Sequence, residues 1–600
     1  MKLQKIFGGH LFSFLILASS GCTSATKNEP HPKADVPQVK QWDGSIASAR
    51  ESRVQPIAGT KGMVVADDVV AAEWGAEILR RGGSAVDAAV ATAFAMSVTR
   101  PQFASLGGGG FLMYCPHQSE CKVIDYREIA PGAATRDMFV KNGKVVPDLS
   151  DTGPLSLGVP GVPAGLLAAL EKYGKLSRQV ILKKPIELAK NGSVFTTFAE
   201  AQTLDRWADL NDDAKRILGC GGTATRLPTA PCTPGTQIKQ PALMRVLQEI
   251  SKKGVKGFYE GWVAKKLVDG VQKAGGVLSL NDLATYRPRF RKPLIGKFQD
   301  YEVITMPPPS NGGAALLQML GYAERADHQG ELADGYGSAR TVHALAHGMS
   351  LAFADRAQYF GDPDQISIPL EQLLSPAYLD GRWKTFDAKK ANIPTMAGDV
   401  YETPHESRET THISVIDREG NAVAITTSIN TFYGSGFVPH DTGVFMNDTM
   451  DDFAAQPGVP NGAGLIASEK NAIAPHKIPV SSMMPTVVRD SKGEVRLVLG
   501  AAGGPVLVTS IFNCMLNHLR FGMSLPDAIA AGRFHHQWRP NLLRFEAFMF
   551  PSEIKQRLQS MGYTIKDQLH QARIYGLERF SNGRVWGGPD PRGEGTAVQE

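Results

Sequence analysis

Cysteine is scarce in this chain, with six in 600 residues. A disulfide-dense small fold is therefore excluded, and no Cys/His grouping has the spacing of a zinc site. Charge of one sign is also lacking. Lys and Arg number 64 against 59 Asp and Glu, a net +5, which is too dilute a field to argue for nucleic acid. No repeat of fixed period is present, which argues against a repeat architecture. Beyond the N-terminus, no uninterrupted apolar run is long enough to cross a membrane as a helix. Glycine, by contrast, is plentiful at 62 residues, which predicts many tight turns and close backbone approaches. Hydrophobic residues at 42% and charged residues at 20% exclude disorder of the whole chain. The length sets a prior of about four domains, although a large α/β enzyme exceeds that prior as one compact unit.

Lys2 and Lys5 precede the apolar run Leu11 to Ala18, and the small residues Ser19, Ser20 and Gly21 precede Cys22. The run is too short to span a bilayer and suits a secretory signal. The segment resembles a bacterial lipoprotein signal with Cys22 as the lipidated residue, except that Ser19 stands where Leu is usual. An ordinary signal peptide is the other reading. The following stretch is rich in Lys, Pro, Ser and Asn, with few large apolar residues. It cannot bury enough surface to offset chain entropy, and is read as a tether.

In the body, Val69 to Arg80 and Ala85 to Met96 read as helices, the second capped by Ser84. SLGGGG (105–110) opens a strand, Phe111 to Tyr114, and Lys122 to Tyr126 follows as another. Helices are also predicted within Leu155 to Tyr173, Ile181 to Asn191, Ala242 to Lys252, Ala314 to Arg325 and Thr341 to Tyr359. Val303 to Pro309 reads as a strand running into the turn PPPSNGG. Thr411 to Asp417 and Asn421 to Asn430, around DREG, form a hairpin signal, and Thr486 to Arg489 with Val495 to Leu499 form a second. The mixture argues for α/β with antiparallel pairing. Cys115 and Cys121, and Cys220 and Cys232, are close enough in sequence to close small loops in an oxidising compartment; five reduced cysteines are the alternative. Cys514 lies in an apolar helical run and reads as a buried free thiol.

The segment Glu409-Thr410-Thr411-His412 opens a predicted strand after a polar loop. The run TTHISVIDREGNAVAITTSINTFYG, followed by MDDF, PGVPN, PVSSMMPT, AAGGP and GRFHHQW, resembles the gamma-glutamyltranspeptidases. SLGGGGF, DYREIAP and DRAQYFGDPD, upstream, fit in the same order. Agreement among many separate short motifs makes the resemblance specific; it runs from about Gly59 to the C-terminus. It implies a four-layer αββα N-terminal-nucleophile hydrolase whose precursor cuts itself between Glu409 and Thr410. The expected organisation is a signal over 1–22, a tether over 23–55, a large chain over 56–409 and a small chain over 410–600, the two chains forming one catalytic domain.

Elementary chemistry fits that implication. A threonine hydroxyl needs a base within reach. A freed α-amine, with a pKa of roughly 7.7–8.0, supplies one at its own residue, whereas an amide cannot. The resemblance makes Gly503 and Gly504 the oxyanion donors, Arg127 the carboxylate-binding arginine and Ser481 and Ser482 its hydroxyl partners. Asn430 and Asp452 match the positions that hold the substrate ammonium. A planar guanidinium suits a carboxylate through paired hydrogen bonds, and backbone N–H donors suit a developing oxyanion. His412, His535 and His536 are read as structural.

Three positions depart from the family pattern. Ser428 stands where Thr is usual and keeps a hydroxyl to support the nucleophile. Thr449 stands where Gln or Glu helps hold the ammonium. Ala463 stands where some relatives carry an aromatic cover, which predicts a more open site. The implied reaction passes a γ-glutamyl group from glutathione or a related compound to water, an amino acid or a dipeptide, with no metal or cofactor. The implied location is exported: periplasmic, or anchored through the lipid, in a bacterium. Rival readings are a cephalosporin or glutaryl acylase on the same scaffold, and an inactive peptide-binding surface lipoprotein.

Overall fold

The computed structural model describes residues 55–146, 148–223, 225–392, 408–569 and 571–600. The signal sequence, Cys22 and the tether as far as residue 54 lie outside the described residues, as do residues 393–407 before the expected cut.

Two seven-stranded sheets form the centre. Their strands are β1 (Ile57–Gly59), β2 (Met63–Ala66), β3 (Gly109–Cys115), β4 (Lys122–Asp125), β5 (Arg289–Arg291), β6 (Leu294–Phe298) and β7 (Tyr301–Thr305), then β8 (Arg408–Ile416), β9 (Ala422–Thr431), β10 (Thr486–Arg489), β11 (Val495–Ala502), β12 (Arg573–Arg579), β13 (Val585–Pro589) and β14 (Thr596–Gln599). One sheet runs β1-β13-β12-β11-β10-β7-β6, the other β14-β2-β8-β9-β3-β4-β5, and every neighbouring pair in both is antiparallel. The sheets pack face to face, β8 and β9 lying against β11.

Helices cover the outer faces. α1 (Val69–Arg80), α2 (Ala85–Thr99) and α3 (Val162–Tyr173) pack on the sheet that holds β8 and β9, with α4 (Arg178–Asn191) against α2. The short helix α5 (Thr197–Arg206) lies near the C-terminal end of β9, where Thr203 Oγ1 and the Tyr433 hydroxyl are 2.6 Å apart. On the other sheet lie α6 (Gly312–His328), with α7 (Ala339–Tyr359) packed on it, and α8 (Val506–Met515). This is the four-layer αββα sandwich that the resemblance implies.

The sequence explains the layering. β9 (AVAITTSINT) is buried along its whole length, because a central strand between a facing sheet and a helix layer has no wet side. α2 is buried all round, and its alanines let both neighbours approach closely. Ser84 caps it in a capping box with Asp87, whose carboxylate also accepts from the Lys175 and Leu176 amides. The hairpins at β8–β9 and β10–β11 form as expected. The strand expected over Val303 to Pro309 ends at Thr305, because consecutive prolines have no N–H to continue a ladder. The Cys115–Cys121 disulfide closes the β3–β4 connection, a second bridge joins Cys220 to Cys232, and Cys514 is buried and free.

Candidate active site

Thr410 sits on β8 directly opposite Ser428 on β9, and the ladder register shifts between Arg408 and Thr410. The irregularity therefore falls around Glu409, with the extra residue on β9 between Ser428 and Thr431. A bulge leaves a residue without its ladder partner and re-aims the backbone. Thr410 is buried at the edge of a narrow cavity of ≈ 40 Å³. Ser428, Asn430, Arg127, Asp452, Ser481, Ser482 and Gly504 line the same cavity. Residues far apart in sequence thus meet at one threonine.

Arg127 follows the end of β4 and is buried. Its Nη1 donates to Glu128 Oε2 at 2.9 Å, and its Nη2 donates to Asp452. Burial works against the charge, but Glu128 and Asp452 outweigh it, and the guanidinium pKa is raised. Glu128 is wholly buried; a Cβ on Gly109 would come within 2.3 Å of its Oε2, so the glycine run SLGGGG makes room for this carboxylate. One guanidinium faces two carboxylates, and burial raises the Glu128 pKa against the opposing Arg127 charge.

Asn430, one residue before the end of β9, has a φ of +80°, a region that favours glycine or asparagine. The turn is held from the far side. Asp448 accepts from the Thr431 amide at 3.0 Å and the Thr431 hydroxyl at 2.8 Å, while its own carbonyl accepts from Asn430 Nδ2 at 3.2 Å. Burial pushes the Asp448 carboxyl up to about 7, against the opposing Thr431 N–H and the Arg206 charge. The Asn430 amide also donates to Ser428 Oγ at 2.8 Å.

Ser481 and Ser482 are held by the loop after β7. Ser481 N donates to the Pro309 carbonyl at 3.0 Å, and Asn311 N donates to the Ser481 carbonyl at 2.8 Å. Ser310 Oγ donates to the Met483 carbonyl at 2.7 Å. Gly503 and Gly504 lie between β11 and the N-terminus of α8, both with positive φ (+133° and +56°). Amides freed at such a turn, ahead of a helix dipole, suit an anion. Gly504 faces the cavity of Thr410, whereas Gly503 lines a second, larger one next to it.

Thr449 differs from its expected place. Its hydroxyl donates to Glu128 Oε1 at 2.9 Å and it does not line the cavity. Its side chain is too short to reach past Glu128, so it braces the carboxylate beside Arg127. Ala463 is buried and lies between the two cavities. His412 is buried, with Nδ1 2.8 Å from Thr426 Oγ1 and Nε2 3.0 Å from Ser414 Oγ, and burial lowers its pKa to about 3. It is a neutral packing group, as are His535 and His536.

Sequence reasoning missed the supports. Glu128, Asn311, Asp448 and Arg356 carry no signal of their own. Asn311 and Ser310 belong to PPPSNGG, which reads only as a turn. Arg356 on α7 lines the cavity and donates to the Ile466 carbonyl at 3.0 Å. Among the described residues no group of three or more His, Cys, Asp or Glu is placed to hold a metal ion.

The gamma-glutamyltranspeptidase family profile matches residues 71–600. The glutathione hydrolase proenzyme of Escherichia coli (strain K12) is 35% identical over 581 residues, 96% of each chain. That of Pseudomonas aeruginosa is 38% identical over 546 residues, 90% of this chain and 94% of its own. Among solved structures, the cephalosporin acylase of Bacillus halodurans matches at a TM-score of 0.77 and 24% identity, over 92% of this chain and 97% of that one; this is a likeness of fold alone. The gamma-glutamyltranspeptidase of Helicobacter pylori is 36% identical at a TM-score of 0.50, over 53% of this chain and 90% of that one. With the profile spanning every residue that lines the Thr410 cavity, the chain belongs to the gamma-glutamyltranspeptidase family.

Proposed function

We propose that this chain is the precursor of a glutathione hydrolase and γ-glutamyltransferase that matures by cleavage between Glu409 and Thr410. The observation that carries the reading is the gathering of Thr410, Arg127 and Asp452 at one cavity, next to a shift in strand register between Arg408 and Thr410. In maturation, Thr410 Oγ attacks the Glu409 carbonyl carbon. The amide bond gives way to an ester, and water cleaves the ester. Glu409 then ends the large chain, and Thr410 begins the small chain with a free amine.

In the mature enzyme that amine takes the Oγ proton, and Oγ attacks the γ-carbonyl of the donor. The Gly503 and Gly504 amides stabilise the oxyanion. The proton passes to the departing amine, leaving a γ-glutamyl ester on Thr410. Water or an amine resolves it. Arg127, with Ser481 and Ser482, takes the donor α-carboxylate. Asp452 and Asn430 take the α-ammonium. Thr449 acts through Glu128 in this scheme. Export, into the periplasm or onto a membrane through Cys22, completes the reading, and substrates are small molecules.

Turnover of γ-glutamyl-p-nitroanilide against glutaryl-p-nitroanilide tests the assignment. A donor ammonium paired with Asp452 predicts preference for the γ-glutamyl compound by at least about a hundredfold. Equal or reversed preference contradicts it and favours a glutaryl acylase.

A further inference from the structure

Asp448 stands between the two residues assigned to the donor ammonium. On one side it holds the turn that carries Asn430: its carbonyl accepts from Asn430 Nδ2, and its Oδ1 accepts from the Thr431 amide. On the other side it leads straight into the short helix Thr449–Asp452, whose Asp451 amide donates to the same Asp448 carbonyl at 3.2 Å. The spacing of Asn430 from Asp452 therefore runs through Asp448.

The proton count at Thr431 fixes the state of this residue. A threonine hydroxyl carries one proton, yet Thr431 Oγ1 lies 2.9 Å from the Gly434 carbonyl oxygen and 2.8 Å from Asp448 Oδ2. A carbonyl can only accept, so it takes the hydroxyl proton. The contact with Asp448 is then favourable only when Oδ2 carries a proton of its own and donates it. A carboxylate at that place sets two acceptors against each other at one of the two contacts. We propose that Asp448 is kept as a neutral acid donating to Thr431, and that it is a positioning residue which sets Asn430 against Asp452, so that loss of its proton weakens donor binding. This rests on the γ-glutamyl reading above.

The surroundings favour the neutral form. Asp448 is fully buried. The cation nearest in effect is Arg206 on α5, and it is already engaged by the Gly434 carbonyl at 3.0 Å and by Asp209 at 3.1 Å. Asp151, ahead of α3, adds a repelling charge. Burial outweighs Arg206, which is why the carboxyl pKa stands as high as about 7. Above that pH the proton passes to solvent, and an enclosed carboxylate gains by opening toward water. The Thr431 hydroxyl turns away from the Gly434 carbonyl, the turn loosens, and Asn430 leaves its place opposite Asp452.

The test uses the mature two-chain protein and γ-glutamyl-p-nitroanilide, with KM and kcat measured separately at pH 6 and pH 8. The parent is expected to show a donor KM about tenfold higher at pH 8, following the fraction of Asp448 that keeps its proton. Asp448→Asn removes the rise, because its amide accepts from the Thr431 N–H and donates to the Thr431 oxygen at either pH. Thr431→Val takes away the hydroxyl and leaves KM high at both. The Thr410 amine and the donor ammonium titrate in all three proteins, so the difference between the profiles belongs to Asp448. Calorimetry of L-glutamate binding at pH 7.5, in two buffers of different ionisation enthalpy, gives a readout without turnover: the parent takes up more protons on binding than Asp448→Asn does. Parallel KM profiles, or a parent that takes up no more protons than Asp448→Asn, overturn the proposal and leave the γ-glutamyl reading standing. Equal turnover of the γ-glutamyl and glutaryl anilides defeats that reading and this proposal with it.

Discussion

In the proposed function donor recognition turns on Arg127, which bridges two carboxylates from different segments, Glu128 and Asp452. A lysine keeps the charge but not the planar fork. Arg127→Lys is expected to raise the donor KM at least about tenfold, the loss of one charge-assisted hydrogen bond, with a smaller effect on kcat; steady-state kinetics on γ-glutamyl-p-nitroanilide checks this. Asp448 acts behind the cavity, on the Asn430–Thr431 turn. Its folded carboxyl titrates at about 7 against roughly 3.9 in an unfolded chain. A raised acid pKa means that the unfolded state releases the proton first, so stability falls as pH rises from about 4 to about 7 and is level above. Asp448→Asn is expected to gain stability relative to the parent over that window. Chemical denaturation at pH 5 and pH 8 reads it, and a difference that does not grow with pH contradicts the assignment. These residues also mark how far the site was legible. Thr410, Arg127, Asn430, Asp452, the serine pair and the glycine pair stand in motifs whose chemistry is carried by the named side chain. Glu128, Asn311 and Asp448 act by bracing another residue across a fold contact, and no local pattern records who sits opposite whom. Thr449 shows the same limit, since its partner Glu128 lies 321 positions away in sequence.

At the scale of elements, the β8–β9 hairpin places Thr410, the proposed nucleophile, on a central strand that is buried from Thr410 to Ile416. Its two strands were legible because a short turn makes their pairing local. Sheet order was not, because β2 near the N-terminus pairs with β14 at the C-terminus, and only the closed fold brings them together. The Cys115–Cys121 bridge ties β3 to β4, the strand that leads to Arg127. Replacing both cysteines with alanine is expected to cost about 2 kcal/mol through loop entropy, while leaving the site intact; guanidinium unfolding and processing measured together check both halves. Buried histidines set the acid limit of the packed elements. Burial lowers His412 to about 3, and His347 and His536 to about 4. Unfolded histidines bind protons near about 6.5, so the native state, which excludes them, loses stability as pH falls from about 6.5 toward 4. The thermal midpoint is expected to drop between pH 7 and pH 4.5. His536→Gln, with an amide facing Asn541 and the Trp538 N–H, is expected to make that drop shallower; an equal slope contradicts the account.

At the scale of the whole molecule, one chain closes a sandwich in which the bond proposed for cleavage, Glu409–Thr410, lies on the central strand β8. Cutting it creates the amine that the hydroxyl of Thr410 requires, so folding precedes activity, and maturation acts as the switch. Under the proposed cut the two products share both sheets: β1 to β7 would come from the large chain, and β9 to β14, with β8 from Thr410 onward, from the small one. They are therefore expected to remain together as one enzyme. The most direct measurement is the intact mass of the purified, folded protein without reducing agent, on the parent and on Thr410→Ala. The account predicts two polypeptides for the parent, the smaller beginning at Thr410 and ending at Glu600, and a single uncut, inactive chain for the variant. A parent that stays whole while folded, or a variant that is cut and active, contradicts it.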